Sequence, residues 1–520
     1  MRSRPALLAL LAPLFAACGG GYAMSPSPYV TAAREYTGGA ALPAASAAHA
    51  PGDVAIAQPE PQHDREGYQD YGVNPFVDPK ADRLSTFAID VDTGSYTIAR
   101  RKLMQEGALP AYASVRAEEF INFFHYGYPT PESGRFGVHV AGAPSPFEPG
   151  HHLVRVALQG KTVSGKDRAP VHLVYLVDTS GSMDAPDRIG FAKKGLAMLT
   201  STLRAGDTVA LCTYAGSVRE VLPPTGVEDK ARIAKALDSL MAGGSTAMSS
   251  GIQLAYDLAQ KTLVPGHVNR VVVLSDGDAN VGNTSPDAVV EQIKKFRGKG
   301  ITLSTVGFGS GNYQDVMMEK LADAGDGNYQ YVDGPEQLHR VFAEQADGML
   351  QVIARDVKVQ VEFDPNVVRQ YRLLGYENRD VADKDFRNDK VDGGEIGAGH
   401  SVTALYDVVL AKTDASPLVV RVRSKAPTGS EKADEQAFPM PPASIAKSFD
   451  EAPAALRFQA AVVGFAEVLR KSPHAREWKL SDVERIAAAS TEGSPEREEL
   501  VRLVRKASEL SGARPVAIAK

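Results

Sequence analysis

Cysteine is nearly absent from this chain: Cys18 and Cys212 are the two it has in 520 residues. A disulfide-stapled scaffold is therefore excluded. Cys212 sits in the strand-like run DTVALCTYAG and reads as a small buried hydrophobe. A basic excess is also missing. Lys and Arg total 57 against 63 Asp and Glu, a net charge of −6, so nothing points to nucleic acid. Beyond the N-terminus no apolar run reaches the roughly 18 residues of a membrane-spanning helix. The 11 histidines are scattered. No His cluster at metal spacing, Cys-His pair or Ser-His-Asp set stands out, so the expectation is no catalytic residues, no enzyme, and no identified small-molecule substrate. There is no internal repeat.

What is present begins with MRSRPALLALLAPLFAACGGG: Arg2 and Arg4, an apolar run from Ala6 to Ala17, then Cys18. A charged start, a short apolar core and small residues before a cut are the layout of a secretory signal. The Ala16-Ala17-Cys18-Gly19 end resembles a bacterial lipobox, with Phe15 where Leu is commoner. That resemblance implies a lipidated Cys18 as the first mature residue. Gly19 after it resembles outer-membrane sorting, which implies a lipid-anchored protein of the cell envelope facing the periplasm or the cell surface.

Residues 1–17 are thus expected to be a signal peptide. Residues 18–72, rich in Ala, Pro, Ser and Gly without apolar period, are expected to be a disordered tether. Its ~50 residues would reach roughly 40 Å by flexible-coil scaling. A helical and strand-bearing region is expected over 73–130. It includes a strand at Ser85–Ile89, helices at Tyr96–Glu106 and Arg116–Phe124, and a core stripe of Phe120, Phe123 and Phe124. Two alternating runs over 131–170 read as strands. His151 and His152 would point to opposite faces there, as surface residues that cannot share a metal. Over 171–350 strand-like runs alternate with helical ones, including Met248–Lys261, Pro286–Arg297 and Pro335–Leu350, which argues a mostly parallel sheet with helices on both faces. VREVL reads as its antiparallel edge. Over 351–442 the strands alternate like half-buried antiparallel strands, and 443–520 is helical, with Gly512 closing the last helix. The strands of 131–170 have no partners of their own. Pairing them with those of 351–442 makes a β-sandwich with the α/β domain inserted in it.

In LVYLVDTSGSMDAPDRI an apolar strand runs straight into a carboxylate. Asp178, Ser180 and Ser182 are spaced two apart. Thr246 lies in the Gly-rich MAGGSTAMSSG, and Asp276 directly follows the strand NRVVVLS. In an open α/β sheet such residues gather beyond the carboxyl ends of the strands, where strand order reverses. Two carboxylates and three hydroxyls offer only oxygen. Such a set suits a hard cation, Mg²⁺ first, with Mn²⁺ or Ca²⁺ as substitutes. These five positions resemble the metal-ion-dependent adhesion site (MIDAS) of von Willebrand factor type A (vWA) domains. More loosely, NPF…STFAIDVDTGSY before them and DGGEIGAGHSVTALYDV after them resemble bacterial lipoproteins with a central domain of this kind. The resemblance implies a Rossmann-like vWA fold and a metal that is not a catalyst. It implies, too, an open coordination position that a protein partner fills with Asp or Glu.

Alternatives compete with that reading. FAIDVDTGSY resembles an aspartyl-phosphatase motif, which would make Asp90 a nucleophile beside Asp92 in a Mg²⁺-dependent phosphohydrolase. The bland reading is that both residues cap the turn into the helix near Tyr96. A structural lipoprotein whose metal only stabilises the fold is a third possibility. GFGSGN, Gly307–Asn312, tempts a dinucleotide reading but lacks the third glycine and the later acidic residue. Asp383, Asp385, Asn388 and Asp389 are spaced somewhat like calcium ligands, in what reads as a solvated hairpin.

Overall fold

The computed structural model describes residues 66–89, 92–163, 168–244, 248–277, 285–309, 315–391, 393–427 and 432–512. The expected signal peptide, most of the tether, Cys18, Asp90 and Thr246 lie outside these residues. No helix among the described residues is long and apolar enough to cross a membrane.

The chain first lays down β1 (Leu84–Ala88), α1 (Gly94–Met104) and α2 (Ala117–Phe123). An antiparallel pair follows, β2 (Phe136–Pro144) and β3 (His151–Gly160). The α/β unit then runs β4 (Val171–Asp178), α3 (Ile189–Thr202), β5 (Thr208–Tyr214), β6 (Val218–Gly226), α4 (Lys230–Asp238), α5 (Met248–Lys261), β7 (Val268–Ser275), α6 (Pro286–Arg297), β8 (Thr302–Phe308), α7 (Asp315–Ala324) and β9 (Tyr329–Val332). Its sheet order is β6-β5-β4-β7-β8-β9, all parallel except β6, which pairs antiparallel with β5 at the edge. Every residue of β4 is buried. Leu173, Tyr175 and Val177 face one layer of core and Val174 and Leu176 the other, which is why this strand reads as an unbroken apolar run. Sequence-local caps set several helix starts: the Ser285 hydroxyl accepts from Ala288 N–H ahead of Pro286, and Asp229 accepts from Arg232 N–H.

The expected single helix over Pro335–Leu350 is in fact three pieces: α8 (Pro335–His339), a π-helical turn at Arg340–Glu344, and α9 (Ala346–Leu350). The wide turn shifts the helix register. It seats Phe342 in the notch left by Gly195 of α3, and it brings Arg340 Nη2 to the carbonyl of Phe123.

After the α/β unit come β10 (Val352–Phe363), β11 (Val368–Leu374), β12 (Ile396–Gly397), β13 (Ser401–Leu410), β14 (Leu418–Lys425) and β15 (Asp434–Pro439). They form two sheets with the early strands: β1-β10-β14-β15, with β12 on β10, and β11-β13-β3-β2. Val357, Val359 and Val361 of one sheet meet Val154, Val156, Leu158, Ala404 and Tyr406 of the other in one core. Since β3 precedes the α/β unit and β10 follows it, the unit is inserted in the sandwich. The chain ends in α10 (Ala454–Leu469), α11 (Leu480–Ala488) and α12 (Pro495–Leu510), with Gly512 at φ +73° just beyond. These helices share a core with α1, α2 and the outer face of β3: Phe120, Phe123 and Phe124 pack with Phe458, Phe465 and Leu153.

The loop after β11 is not a solvated hairpin. Phe386 is buried, Asp383 accepts from the Thr86 hydroxyl at 2.5 Å, and Lys358 Nζ reaches the Asn388 carbonyl at 2.8 Å. His151 and His152 are half-buried rather than on the surface, and His151 Nδ1 lies 2.7 Å from the buried Asp407.

Candidate metal centre

β4 sits between β5 and β7, so the chain turns one way and then the other from it, and its carboxyl end is the point where strand order reverses. Asp178 closes that strand, with no exposed surface. Its Oδ1 accepts from Ser180 N–H at 2.8 Å and its Oδ2 from the Ser275 hydroxyl at 2.9 Å. The loop beyond it is stitched to its neighbours by backbone bonds. Thr179 N–H donates to the Tyr214 carbonyl, Gly181 N–H to the Gly244 carbonyl, and Gly243 N–H to the Thr179 carbonyl at 2.7 Å. Gly244, at φ +106°, takes a conformation that side-chain-bearing residues rarely adopt, and a Cβ there would lie 3.2 Å from Gly216 N. That pairing brings the run leading to Thr246 against the Asp178 loop; Thr246 itself is outside the described residues.

Ser180 is buried and Ser182 half-buried, with hydroxyl oxygens 2.9 Å apart. Met183, fully buried, plugs the turn from beneath. Asp276 follows β7 at 6% exposure. Arg188 joins the two loops: its Nη1 donates to the Ser182 carbonyl and lies 3.3 Å from Asp276 Oδ2. Of the five expected ligands, Asp178, Ser180, Ser182 and Asp276 thus meet at one sheet edge.

The electrostatics fit a cation. Burial pushes the Asp178 carboxyl above its ordinary range, bonds from Ser180 pull it back, and the charge of Asp276 pushes it further up. Burial and the Asp178 charge also push the Tyr214 hydroxyl well up. Two carboxylates in a water-poor crevice beside two hydroxyls form an oxygen donor set whose mutual repulsion a hard cation relieves. Sequence reasoning missed Ser275, Tyr214 and Arg188 here. Ser275 was within reach, because it is the last residue of the strand that leads to Asp276.

The rival motifs go elsewhere. Asp92 is 1% exposed; its Oδ1 accepts from Tyr329 N–H at 2.8 Å and its Oδ2 from Arg379 at 2.9 Å. It does not cap α1, whose N-cap is Thr93, without a side-chain bond. Asp92 instead joins Glu119 and Glu319 in a buried acidic group threaded by Arg116 and Arg379. No sequence signal linked those residues. The calcium-like loop scatters its ligands: Asp385 accepts from Asn388 at 2.8 Å, and Asp389 pairs with Arg423 at 2.6 Å. Gly309 of GFGSGN is at φ +76°, and the rest of that turn is outside the described residues.

Three family models match the chain. One, described as von Willebrand factor, covers residues 62–155; the von Willebrand factor type A domain covers 172–344; and one described as "Uncharacterized protein YfbK, C-terminal" covers 348–417 and 411–510. YfbK of Escherichia coli (strain K12) is 36% identical over 467 residues, covering 84% of this chain and 80% of YfbK. Protein sll0103 of Synechocystis sp. is 27% identical over 225 residues, covering 43% of this chain and 51% of that protein. The inter-alpha-trypsin inhibitor heavy chain H3 of Mesocricetus auratus is 24% identical over 268 residues, covering 48% of this chain and 30% of the relative. Among solved structures, a von Willebrand factor type A protein from Catenulispora acidiphila aligns at 17% identity with a TM-score of 0.44, covering 74% of this chain and 91% of that one.

Proposed function

Because the chain belongs to the family of YfbK, with a von Willebrand factor type A domain at its centre, we propose that it binds a protein partner through a divalent cation held at the edge of the central sheet. Domains of this type are, as a class, protein-interaction modules. The observation that carries the reading is the meeting of Asp178, Ser180, Ser182 and Asp276 where the strand order reverses.

In this reading the Ser180 and Ser182 hydroxyls and the Asp276 carboxylate face the ion, Thr246 completes the set, and Asp178 anchors it from below. A bound Mg²⁺ supplies a positive centre with a coordination position left for an Asp or Glu of the partner. Hydroxyl ligands are neutral and so leave the ion's net positive charge high, and an incoming carboxylate is attracted. Ser275 and the Ser180 amide hold Asp178 in place, and the bonds to Gly244 and Tyr214 keep the ligand loop from collapsing in the partner's absence. The role is non-enzymatic: a scaffold or adhesion protein. Cys18 would carry the lipid that anchors it in the cell envelope, at the outer membrane, with residues 18–72 as the tether. The test is capture of partners from envelope extract on the purified protein, with Mg²⁺ against EDTA. A partner retained in Mg²⁺, released by EDTA and lost with Asp276→Ala supports the reading; a partner indifferent to both overturns it.

A further inference from the structure

We propose that Arg188 is a resident counter-cation of the metal centre, holding Asp276 while no metal is bound and yielding that carboxylate when one arrives, so that it sets the affinity of the site. The proposal rests on the metal reading above. It starts from a bridge: Arg188 donates to the carbonyl of Ser182 and contacts Asp276 Oδ2 at 3.3 Å, and so spans two loops whose oxygens would ligate the ion. Asp276 is nearly buried, and the fully buried Asp178 lies across the same crevice. Without a cation the pair would repel in a medium that screens poorly. The guanidinium offsets part of that repulsion.

The position of Arg188 is built into the fold. Its side chain, 23% exposed, lies across Gly309 at the end of β8. A Cβ on Gly309 would fall on Arg188 Nε and sit 3.1 Å from its Cδ, and the residue's φ of +76° also favours glycine. The Tyr331 hydroxyl donates to the Gly309 carbonyl and fixes this slot from the far side. The arginine is thus held between the ligand loop after β4, the carboxylate after β7 and a glycine notch after β8.

A metal ion taking Asp276 competes with Arg188 for the same carboxylate, and the two cations repel. Removing the arginine charge should therefore tighten metal binding. Had Arg188 only a positioning role, orienting Ser182 and Asp276 for the ion, removing it would loosen binding. The sign of the change separates the two.

The experiment is calorimetric Mg²⁺ titration of the purified full-length chain, with thermal melts in EDTA, for wild type, Arg188→Gln, Arg188→Lys, Asp276→Asn and Arg188→Gln/Asp276→Asn. Gln retains an N–H donor without the charge. We expect Arg188→Gln to lower the Mg²⁺ Kd by about threefold or more and Arg188→Lys to leave it near wild type. In EDTA, Arg188→Gln should lower Tm, and that drop should vanish in the Asp276→Asn background. Unchanged or weaker Mg²⁺ binding by Arg188→Gln overturns the proposal and leaves the metal site standing. An equal Tm drop in both backgrounds overturns it as well. No binding by wild type or Arg188→Gln at millimolar Mg²⁺ overturns the metal reading itself, and the proposal with it.

Discussion

Arg379 Nη2 donates to Asp92 Oδ2 at 2.9 Å across 287 positions of sequence, and the same nitrogen reaches Glu319 Oε1 at 2.9 Å. Asp92 lies between β1 and α1, Glu319 is on α7 of the central domain, and Arg379 is in the loop after β11. One guanidinium therefore ties the inserted domain to both flanking parts of the chain. Arg116, from the start of α2, adds a second tie through Glu119 and through Asp315 at 2.8 Å. All of these groups are at least nine-tenths buried. A buried charge left alone is costly, so removing one member of this network would strand its partners in the interior.

That network should make stability depend on pH. Burial, with help from Glu119 and Asp323, pushes the Glu319 carboxyl from its ordinary 4.5 up to about 7, against the pull of Arg116 and Arg379. A folded pKa above the unfolded one means that the contribution of this group is full below about 4.5 and is lost as pH rises through about 7. The loss is on the order of 3 kcal/mol at most, by the usual worth of a pKa unit. Melts of wild type and Glu319→Gln between pH 4.5 and 8 check this. Wild type should lose more Tm than the variant over that window, and parallel curves would show that Glu319 titrates alike folded and unfolded.

The notch under Phe342 gives a second prediction. A Cβ on Gly195 would lie 2.6 Å from Phe342 Cε2 and 2.7 Å from Cδ2, and the ring is fully buried in the core it shares with α3. Gly195→Val should cost roughly 1–3 kcal/mol by overpacking, although it removes a glycine from a helix interior. A denaturant midpoint equal to wild type would mean that the π turn at Arg340–Glu344 can move to accommodate it.

Much of the central domain was legible because its signals are local. Met248–Lys261 and Pro286–Arg297 were readable to the residue from their amphipathic pattern. The antiparallel edge strand was readable in part: VREVL opens β6, which runs on to Gly226. What escaped depends on distant partners. The π turn sets Phe342 against Gly195 and Arg340 against the Phe123 carbonyl, partners far away in sequence. β15, DEQAFP, is largely exposed and polar and becomes a strand only by pairing with β14. Asp92 looked like a cap, or like the companion of Asp90 in a phosphohydrolase motif, because its arginine comes 287 positions later. At the candidate site, the spacing pointed to Asp178, Ser180, Ser182 and Asp276, which the fold brings to the carboxyl end of the central sheet. Arg188 was not, because an arginine before a helix carries no signal until Gly309 and Asp276 are seen around it.

The anchor is tested by fractionation. If Cys18 is the lipidated residue, Cys18→Ala should leave the protein unprocessed or released in soluble form, and labelled fatty acid should enter wild type alone. A variant that stays with membranes like wild type, with no label in either, would end the lipoprotein reading.

The ligands themselves should separate function from fold. Ser182→Ala removes a half-buried hydroxyl whose described side-chain contact is Ser180, so metal-free stability should move by about 1 kcal/mol or less. Thr246→Ala should behave in the same way. Asp276→Ala removes a carboxylate that repels Asp178 but also deprives Arg188 of a contact. The two effects oppose, and the metal-free melt should again stay within about 1 kcal/mol of wild type. Metal affinity should fall in all three, most for Asp276→Ala, because a lost carboxylate removes a full charge from the donor set while a lost hydroxyl removes a dipole. Calorimetric Mg²⁺ titration beside melts with and without EDTA measures both quantities on the same samples. Variants that bind Mg²⁺ as tightly as wild type would move the metal away from these residues. Variants that unfold without metal would make the same oxygens a structural support rather than an interaction site.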